Sequence, residues 1–280
     1  MIRDFLRYKN DFSNIWSQLS QLTHHMLGGK SPNIAYAAAQ TELIILSLDI
    51  MDDLQDQDNL EPPWMQCDTA VAMNCASNLL VAGLSGIGEM AIHPKILKLL
   101  SSAHNGQHQD LSNQVTNEEQ YLSMVSRKSS SLINLAMQMG YQLLDHKDPV
   151  TEEKLDKLAD CIGIAAQLQN DLKEIATLHS RNDLVNRKKT LTTLYLLDLC
   201  ESKFPILKSY YEGLCSLDEL AGQESQLADF ISQSGVFEYT YALQRLYMVR
   251  AKQIFESLPA VQPWSDRFLD FIIHPYLNKI

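Results

Sequence analysis

Four aspartates, Asp49, Asp52, Asp53 and Asp56, stand close together in the run Leu48-Asp49-Ile50-Met51-Asp52-Asp53-Leu54-Gln55-Asp56-Gln57-Asp58. Their spacing of i, i+3, i+4 and i+7 places all four on one face of a helix. Like charges at these spacings repel by roughly 0.2–0.5 kcal/mol per pair when nothing offsets them. The run contains no Lys or Arg. Leu43, Ile44, Ile45, Leu46 and Leu48 lead into it, so the stripe emerges from an apolar, core-seeking helix. Acids anchored in this way suggest a bound cation. Magnesium takes one or two carboxylates and completes its shell with water and substrate phosphate. A solvated helix end is the competing reading, and the stripe alone does not choose between them.

A second acidic group stands far along the chain. Gln167, Asn170, Asp171 and Glu174 share a helix face, with Ile162, Ile164, Leu168 and Ile175 on the apolar side. Alone, that face reads as a surface patch. Two such faces opposed across a cavity could hold a metal–diphosphate cluster.

The elements that must carry these groups are helical. Apolar residues recur at three- and four-residue steps, as in Phe12, Ile15, Trp16, Leu19, Leu22 and Met26, and no run alternates as a strand would. Gly28-Gly29 stops this first helix and Ser31-Pro32 opens the next. A second helix is expected from about Asn33 to Asp58, closed by Glu61-Pro62-Pro63, and a third from about Asp68 to Gly88. Pro94 starts a fourth. Asn117 caps a fifth that reaches Leu144. Thr151 caps a sixth that continues to about Leu178. His179 to Lys189 reads as a loop, and shorter helices follow, broken near Pro205, Gly213, Gly235 and Pro259. Neither a repeat nor a linker interrupts the pattern, so residues 1–280 are expected to form one all-α domain.

Composition agrees. The chain has 280 residues, 45% of them apolar, and a formal net charge of −11. No basic block offsets that charge, which argues against nucleic acid as a partner. Five cysteines, odd in number and without CxxC spacing, read as reduced thiols. The start, Met1 to Phe12, does not resemble a signal peptide. Thr69 to Gly88 carries no charge, but Asn74, Ser77, Asn78, Ser85 and three glycines favour a helix buried in the core over a membrane span. A cytoplasmic location follows, with peripheral contact with a membrane left open.

In sequence order, several segments now combine. Gly28-Gly29-Lys30, Asp52-Asp53-Leu54-Gln55-Asp56, Gly106-Gln107-His108-Gln109-Asp110-Leu111, Tyr121-Leu122-Ser123-Met124 with Lys128-Ser129, Gln167 to Glu174, and Lys188-Lys189-Thr190-Leu191-Thr192 are all present. Together they resemble the motifs of the trans-prenyl diphosphate synthase family, over nearly the whole chain. The resemblance implies an isoprenoid-synthase helical bundle around a central apolar cavity. It implies Mg2+ held by Asp52, Asp56 and Asp171 with Glu174 beside them, and a catalytic set of Asp52, Asp53, Asp56 and Asp171. Lys128 and Lys189 would contact the donor diphosphate and Gln167 would support the cluster. Lys30 belongs to the substrate-binding set, and Ser47 and Leu48 would line the path of the prenyl tail. A homodimer is implied as well.

The departures from that family concern the acceptor side. Ser31-Pro32 follows Lys30 where the family has arginine, Ile45 stands where it has histidine, and Asn59-Leu60-Glu61 replaces a pair of arginines. A diphosphate leaves water only for cations or many N–H donors, so isopentenyl diphosphate is not expected as acceptor. An intact donor side with this acceptor side resembles the ComQ family, which prenylates a tryptophan in a competence-pheromone precursor peptide. That resemblance implies a farnesyl or geranyl diphosphate donor, the precursor peptide as partner, and a role in quorum sensing. The vacated acceptor region is expected to be lined in part by Ile45 and the Ser31-Pro32 turn. A chain-elongating synthase, a terpene cyclase and a non-catalytic partner subunit are the rival readings. The last usually lacks the metal aspartates that are present here.

Overall fold

A computed structural model describes residues 1–12, 14–57, 60–89, 94–176 and 183–277. Among them there is no strand. The helices are α1 (Ile2–Phe12), α2 (Ile15–Met26), α3 (Ile34–Asp56), α4 (Thr69–Glu89), α5 (Pro94–Ser112), α6 (Glu118–Val125), α7 (Ser131–Tyr141) and α8 (Pro149–Ala176). After them come α9 (Leu191–Lys203), α10 (Pro205–Tyr211), α11 (Leu217–Ala221), α12 (Glu224–Ser234), α13 (Val236–Glu256), α14 (Trp264–Phe268) and α15 (His274–Leu277). One turn of π-helix, Ser126–Ser130, joins α6 to α7, and another, Leu269–Ile273, joins α14 to α15.

Burial of apolar stripes arranges these helices. α3 packs on α2, α4 and α7, and α8 packs on α7 and α13. Leu19, Met26, Met137, Leu155, Leu158, Met248 and Phe268 close the seam among α2, α7, α8, α13 and α14. Ile44, Ile45, Ile96, Leu135 and Met139 close the one among α3, α5 and α7. Each such side chain contributes about 1.5–3 kcal/mol on full burial.

Several boundaries differ from the sequence expectations. The first helix is two, with Asn14 preceding α2. Asn117 caps α6 as expected, accepting the Gln120 N–H at 3.0 Å, but the helix it starts passes through a π-turn and ends at Tyr141. α8 begins at Pro149, not Thr151. Asp148 Oδ2 accepts both the Thr151 N–H (2.9 Å) and its hydroxyl (2.8 Å), so Asp148 is the cap and Pro149 takes the first helical position. α3 ends at Asp56 on a left-handed Gln57; Asp58 lies outside the described residues, as do Thr177 to Asn182 at the end of α8.

α3 and residues Thr69–Gly88 of α4 are each long and apolar enough to cross a membrane by length and composition. α3 is buried along the faces that meet α2, α4 and α7, and exposed at Ala35, Tyr36 and Ala39. α4 is not the buried core helix expected: one face meets α3, while Val71, Met73 and, at 62% exposure, Val81 face outward.

Candidate active site

The two acidic faces meet across a cavity of about 480 Å3. α3 supplies Asp49, Asp52 and Asp56 to one wall; α8 supplies Gln167, Asn170, Asp171 and Glu174 to the other. Asp110 from α5, Tyr121 from α6, Lys128 and Ser129 from the π-turn, and Asp183, Lys188 and Thr190 from the loop before α9 complete the polar rim. Trp16, Met124, Val125, Leu132 and Ile133 line the apolar part.

Lysines bridge the carboxylates. Lys128 Nζ lies 2.6 Å from Asp110 Oδ2 and 3.3 Å from Asp52 Oδ1, the second an ion-pair contact without hydrogen-bond geometry. Lys188 Nζ lies 2.7 Å from Asp56 Oδ2. Burial alone would lower the pKa of the Lys128 ammonium, but Asp52 and then Asp110 outweigh it and hold the group above its ordinary value. Asp52 itself is raised by burial, with Lys128 acting against the shift.

Lys128 is placed by glycines. A Cβ on Gly106 of α5 would come within 2.2 Å of the Lys128 backbone nitrogen, and one on Gly163 of α8 within 2.4 Å of Ser130 Cα. Only glycine allows both helices to approach the π-turn so closely. The turn is thereby held between them, with Ser126 donating to Asp160 Oδ1 at 2.5 Å. Inserted π-turns of this kind recur at functional sites.

Asp171 is fully buried. Tyr121 Oη donates to its Oδ2 at 2.5 Å and Gln167 Nε2 to its Oδ1 at 3.2 Å, while Ser129 Oγ donates to Gln167 Oε1 at 3.1 Å. Burial pushes the Asp171 carboxyl up to about 7 against the hydrogen bond from Tyr121. The Tyr121 hydroxyl is in turn driven well upward by burial and by that carboxylate.

The other sequence candidates are distributed differently. Trp64 Nε1 donates to Asp53 Oδ2 at 2.7 Å, and Asp53 does not line the cavity. Lys188, not Lys189, points into it; the Lys189 backbone N–H donates to Asn113 Oδ1 at 2.9 Å. Lys30 is exposed and stands outside the cavity. Ser47 is fully buried in the bundle. Leu48 lines an adjoining pocket of about 210 Å3 with Met51, Leu111 and Leu132, bordered by His104, Gln107 and His108. The two spaces share Asp49, Asp52, Lys128 and Leu132.

Nor do Ile45 and Ser31 line a vacated acceptor region. Ile45 is fully buried in the apolar cluster with Ile44 and Leu135. The Ser31 N–H donates to His24 Nε2 at 3.0 Å, and that ring donates through Nδ1 to Gly140 O at 2.9 Å. Burial lowers the His24 pKa, so this corner holds a neutral imidazole. Sequence reasoning assigned no role to Asp110, Tyr121, Asp183 or Lys188. The first, second and fourth lay inside the quoted motifs, and only the fold shows which way each points.

The donor set fits a hard divalent cation. It consists of carboxylate and carboxamide oxygens, and Asp52 Oδ1 is buried without a hydrogen-bond donor among the described residues. Among the described residues no three acidic or imidazole groups already form a closed cage. That suits ions that take one or two carboxylates each and leave other positions to water and phosphate.

Comparison with known proteins agrees with this geometry. The profile of the polyprenyl synthetase family matches residues 14–219. Tryptophan prenyltransferase ComQ of Bacillus spizizenii is 30% identical over 251 residues, covering 87% of each chain. ComQ of Bacillus subtilis subsp. natto is 30% identical over 274 residues, covering 95% of this chain and 82% of its own. In fold, the chain is similar to the decaprenyl diphosphate synthase of Rhodobacter capsulatus, with a TM-score of 0.82 at 17% identity, covering 95% of this chain and 85% of that one. The chain belongs to the polyprenyl synthetase family, a family of prenyl-transferring, divalent-metal enzymes, and within it to the ComQ type.

Proposed function

We propose that this protein, read over residues 1–280 as one catalytic unit, transfers a farnesyl or geranyl group from its diphosphate to a tryptophan of a pheromone precursor peptide, as a step in quorum sensing. The observation that carries the reading is an asymmetry. The donor side has two opposed acidic walls, with Lys128 and Lys188 paired to the acids of α3. Where elongating relatives carry histidine and arginine for the acceptor diphosphate, this chain has Ile45, sealed in the core, and Ser31, in a turn held by a neutral His24. Neither residue offers a counter-charge to an anionic acceptor, whereas an uncharged indole needs none. The ComQ relatives are tryptophan prenyltransferases.

In this reading Asp52 and Asp56 on α3, and Asp171 with Asn170 and Glu174 on α8, hold Mg2+. When bound with the donor, magnesium supplies Lewis-acid charge that lets the diphosphate leave. Lys128 and Lys188 stabilise the departing oxygens from positions set before reaction. Gln167 and Tyr121 fix the Asp171 carboxylate. Leu48, Met51, Leu111 and Leu132 take the prenyl tail, and Trp16, Met124, Val125 and Ile133 keep water from the allylic cation. The indole attacks through C3, which holds no hydrogen in a tryptophan residue, and the proton on its ring nitrogen leaves to the released diphosphate. Lys30 has no part in this scheme. A homodimer belongs to the same proposal; the outward apolar side chains Val71, Met73 and Val81 of α4 and Leu97 of α5 are suited to it.

The test is donor turnover with each acceptor. Farnesyl or geranyl diphosphate with Mg2+ should yield one prenyl group on a tryptophan peptide by mass spectrometry, and little product with isopentenyl diphosphate. Efficient chain elongation, or equal modification of a Trp→Ala peptide, would refute the reading.

A further inference from the structure

A groove of about 800 Å3 lies outside the catalytic cavity, between α1, α2 and α3. Carboxamides line its sides: Asn10 from α1, Asn14 ahead of α2, and Gln18 and Gln21 on α2. Its floor is α3, where Ala35 and Ala39 stand exposed with only a methyl group each. A carboxamide offers a donor and an acceptor side by side, the pair that each residue of an extended backbone presents; Asn14 Nδ2 donates to Asn10 Oδ1 at 3.3 Å, which engages one half of each of those two amides. Small floor residues let a backbone lie close against the helix. Arg7 and Lys9 balance Asp11 and Glu42 along the lining, so the groove does not call for a phosphate. Glu42 Oε1 accepts the Ser17 N–H at 2.8 Å, while its buried Oε2 has no donor among the described residues.

The groove leads to the site. Ala35, Ala39, Glu42 and Leu46 repeat at three- and four-residue steps on α3, and the next residue on that face is Asp49, which lines the catalytic cavity. Lys9 lines the groove, and its ammonium lies 2.5 Å from Asp49 Oδ2. The ion pair thus joins a residue of the groove to a residue of the cavity.

We infer that this groove holds the extended backbone of the acceptor peptide, with the Lys9–Asp49 pair marking where its tryptophan passes into the cavity. The inference rests on the peptide-prenylation reading above. It assigns the substrate a docking surface distinct from the diphosphate site.

The experiment compares two acceptors on the full chain. One is N-acetyl-tryptophanamide, which carries the ring without flanking residues. The other is a pool of synthetic peptides of about ten residues, random except for a central tryptophan, long enough when extended to span groove and cavity. Two variants are used, Ala39→Trp, which fills the groove from an exposed position, and Gln18→Ala with Gln21→Ala. Both should lower kcat/KM for the peptide pool about tenfold, through KM. Donor affinity and turnover of N-acetyl-tryptophanamide should stay within about twofold of wild type. Unchanged peptide kinetics in both variants, with the wild type active, would overturn the groove and leave the function standing. A wild type that prenylates neither acceptor while consuming donor removes the function, and the groove falls with it. A change in association state without a change in peptide KM would make the groove a contact between copies of this chain, and so also overturn the inference.

Discussion

Lys188 Nζ and Asp56 Oδ2 are 2.7 Å apart although 132 residues separate them in sequence. The contact ties the loop before α9 to the last turn of α3 at the rim of the acidic cavity. Asp56 has only 7% of its side chain exposed. Its hydrogen bond, together with Asp110, keeps the Lys188 ammonium above its ordinary pKa despite burial, which acts the other way and is the largest single influence.

Lys188→Met should therefore lower kcat/KM for the donor by about 100-fold, equivalent to about 2.7 kcal/mol of transition-state stabilisation. It should also cost up to roughly 3 kcal/mol of stability, since Asp56 loses its buried partner. Lys189→Met should stay within about threefold of wild type, because Lys189 engages Asn113 through its backbone. Steady-state kinetics of the two variants decide the matter; equal losses would return Lys189 to the site.

The buried Asp171 carboxyl gives the protein a pH signature. Its pKa in the folded chain is about 7, raised mainly by burial, against about 3.9 when unfolded. Between those values the folded state binds the extra proton, so the contribution of this carboxyl to stability is fully present below about 4 and is lost as pH rises through about 7. Burial also raises Asp49 and Asp52, with the same sign. In EDTA, the wild type should melt at a lower temperature at pH 8 than at pH 5.5, and Asp171→Asn should show a smaller drop. Adding Mg2+ with an unreactive diphosphate analogue at pH 8 should raise the wild-type Tm and leave that of Asp171→Asn nearly unchanged. An identical pH dependence in the two proteins would show that Asp171 is ionised throughout.

What the sequence revealed was what periodicity encodes. The stripe of Asp49, Asp52 and Asp56 and the face of Gln167, Asp171 and Glu174 were legible from helical spacing, and the fold opposes them across one cavity. Choices between neighbours were not legible. Asp52 and Asp53 satisfy the same helical face, but the Trp64 indole takes Asp53. Lys188 and Lys189 are adjacent and chemically alike, and the turn through Asp183 and the left-handed Arg187 decides which points inward. Thr151 and Asp148 are both good caps, and Pro149 settles the register by fitting the first helical position. Ile45 was placed in an acceptor pocket from motif position, whereas packing seals it in the core.

That burial changes what restoring the family's cationic residues would do. Ile45→His places an imidazole in the apolar cluster that holds Ile44, Ile87 and Leu135. The lost packing and the buried polar ring should together cost about 3 kcal/mol. Ile45→His with Ser31→Arg should therefore lower Tm by several degrees and still fail to elongate farnesyl diphosphate with isopentenyl diphosphate. Ser31→Arg alone lies in a turn at the surface and should fold normally. Chain elongation by the double variant would show that the acceptor pocket survives behind Ile45.

The position of Lys128 depends on a residue that carries no functional group. Gly106 lets α5 come so close to the π-turn that an added Cβ would sit 2.2 Å from Lys128 N and 2.6 Å from its Cα. Neither atom can yield by a side-chain rotation, since both are backbone. In Gly106→Ala the turn must move off α5, and Gly163 on the other side leaves it no slack, because Ser130 already fills that approach. The displaced ammonium loses its 2.6 Å contact with Asp110 and its place opposite Asp52. A shift of about 1 Å in such a group costs about 100-fold in rate. Gly106→Ala should thus retain its helical circular dichroism, lose stability by about 1–3 kcal/mol from overpacking, and lose about 100-fold in kcat with a smaller change in KM. A double variant, Gly106→Ala with Lys128→Met, should be little worse than Lys128→Met alone, because both act through the same ammonium. If the two losses multiply instead, the glycine serves the fold and not the placement of the lysine.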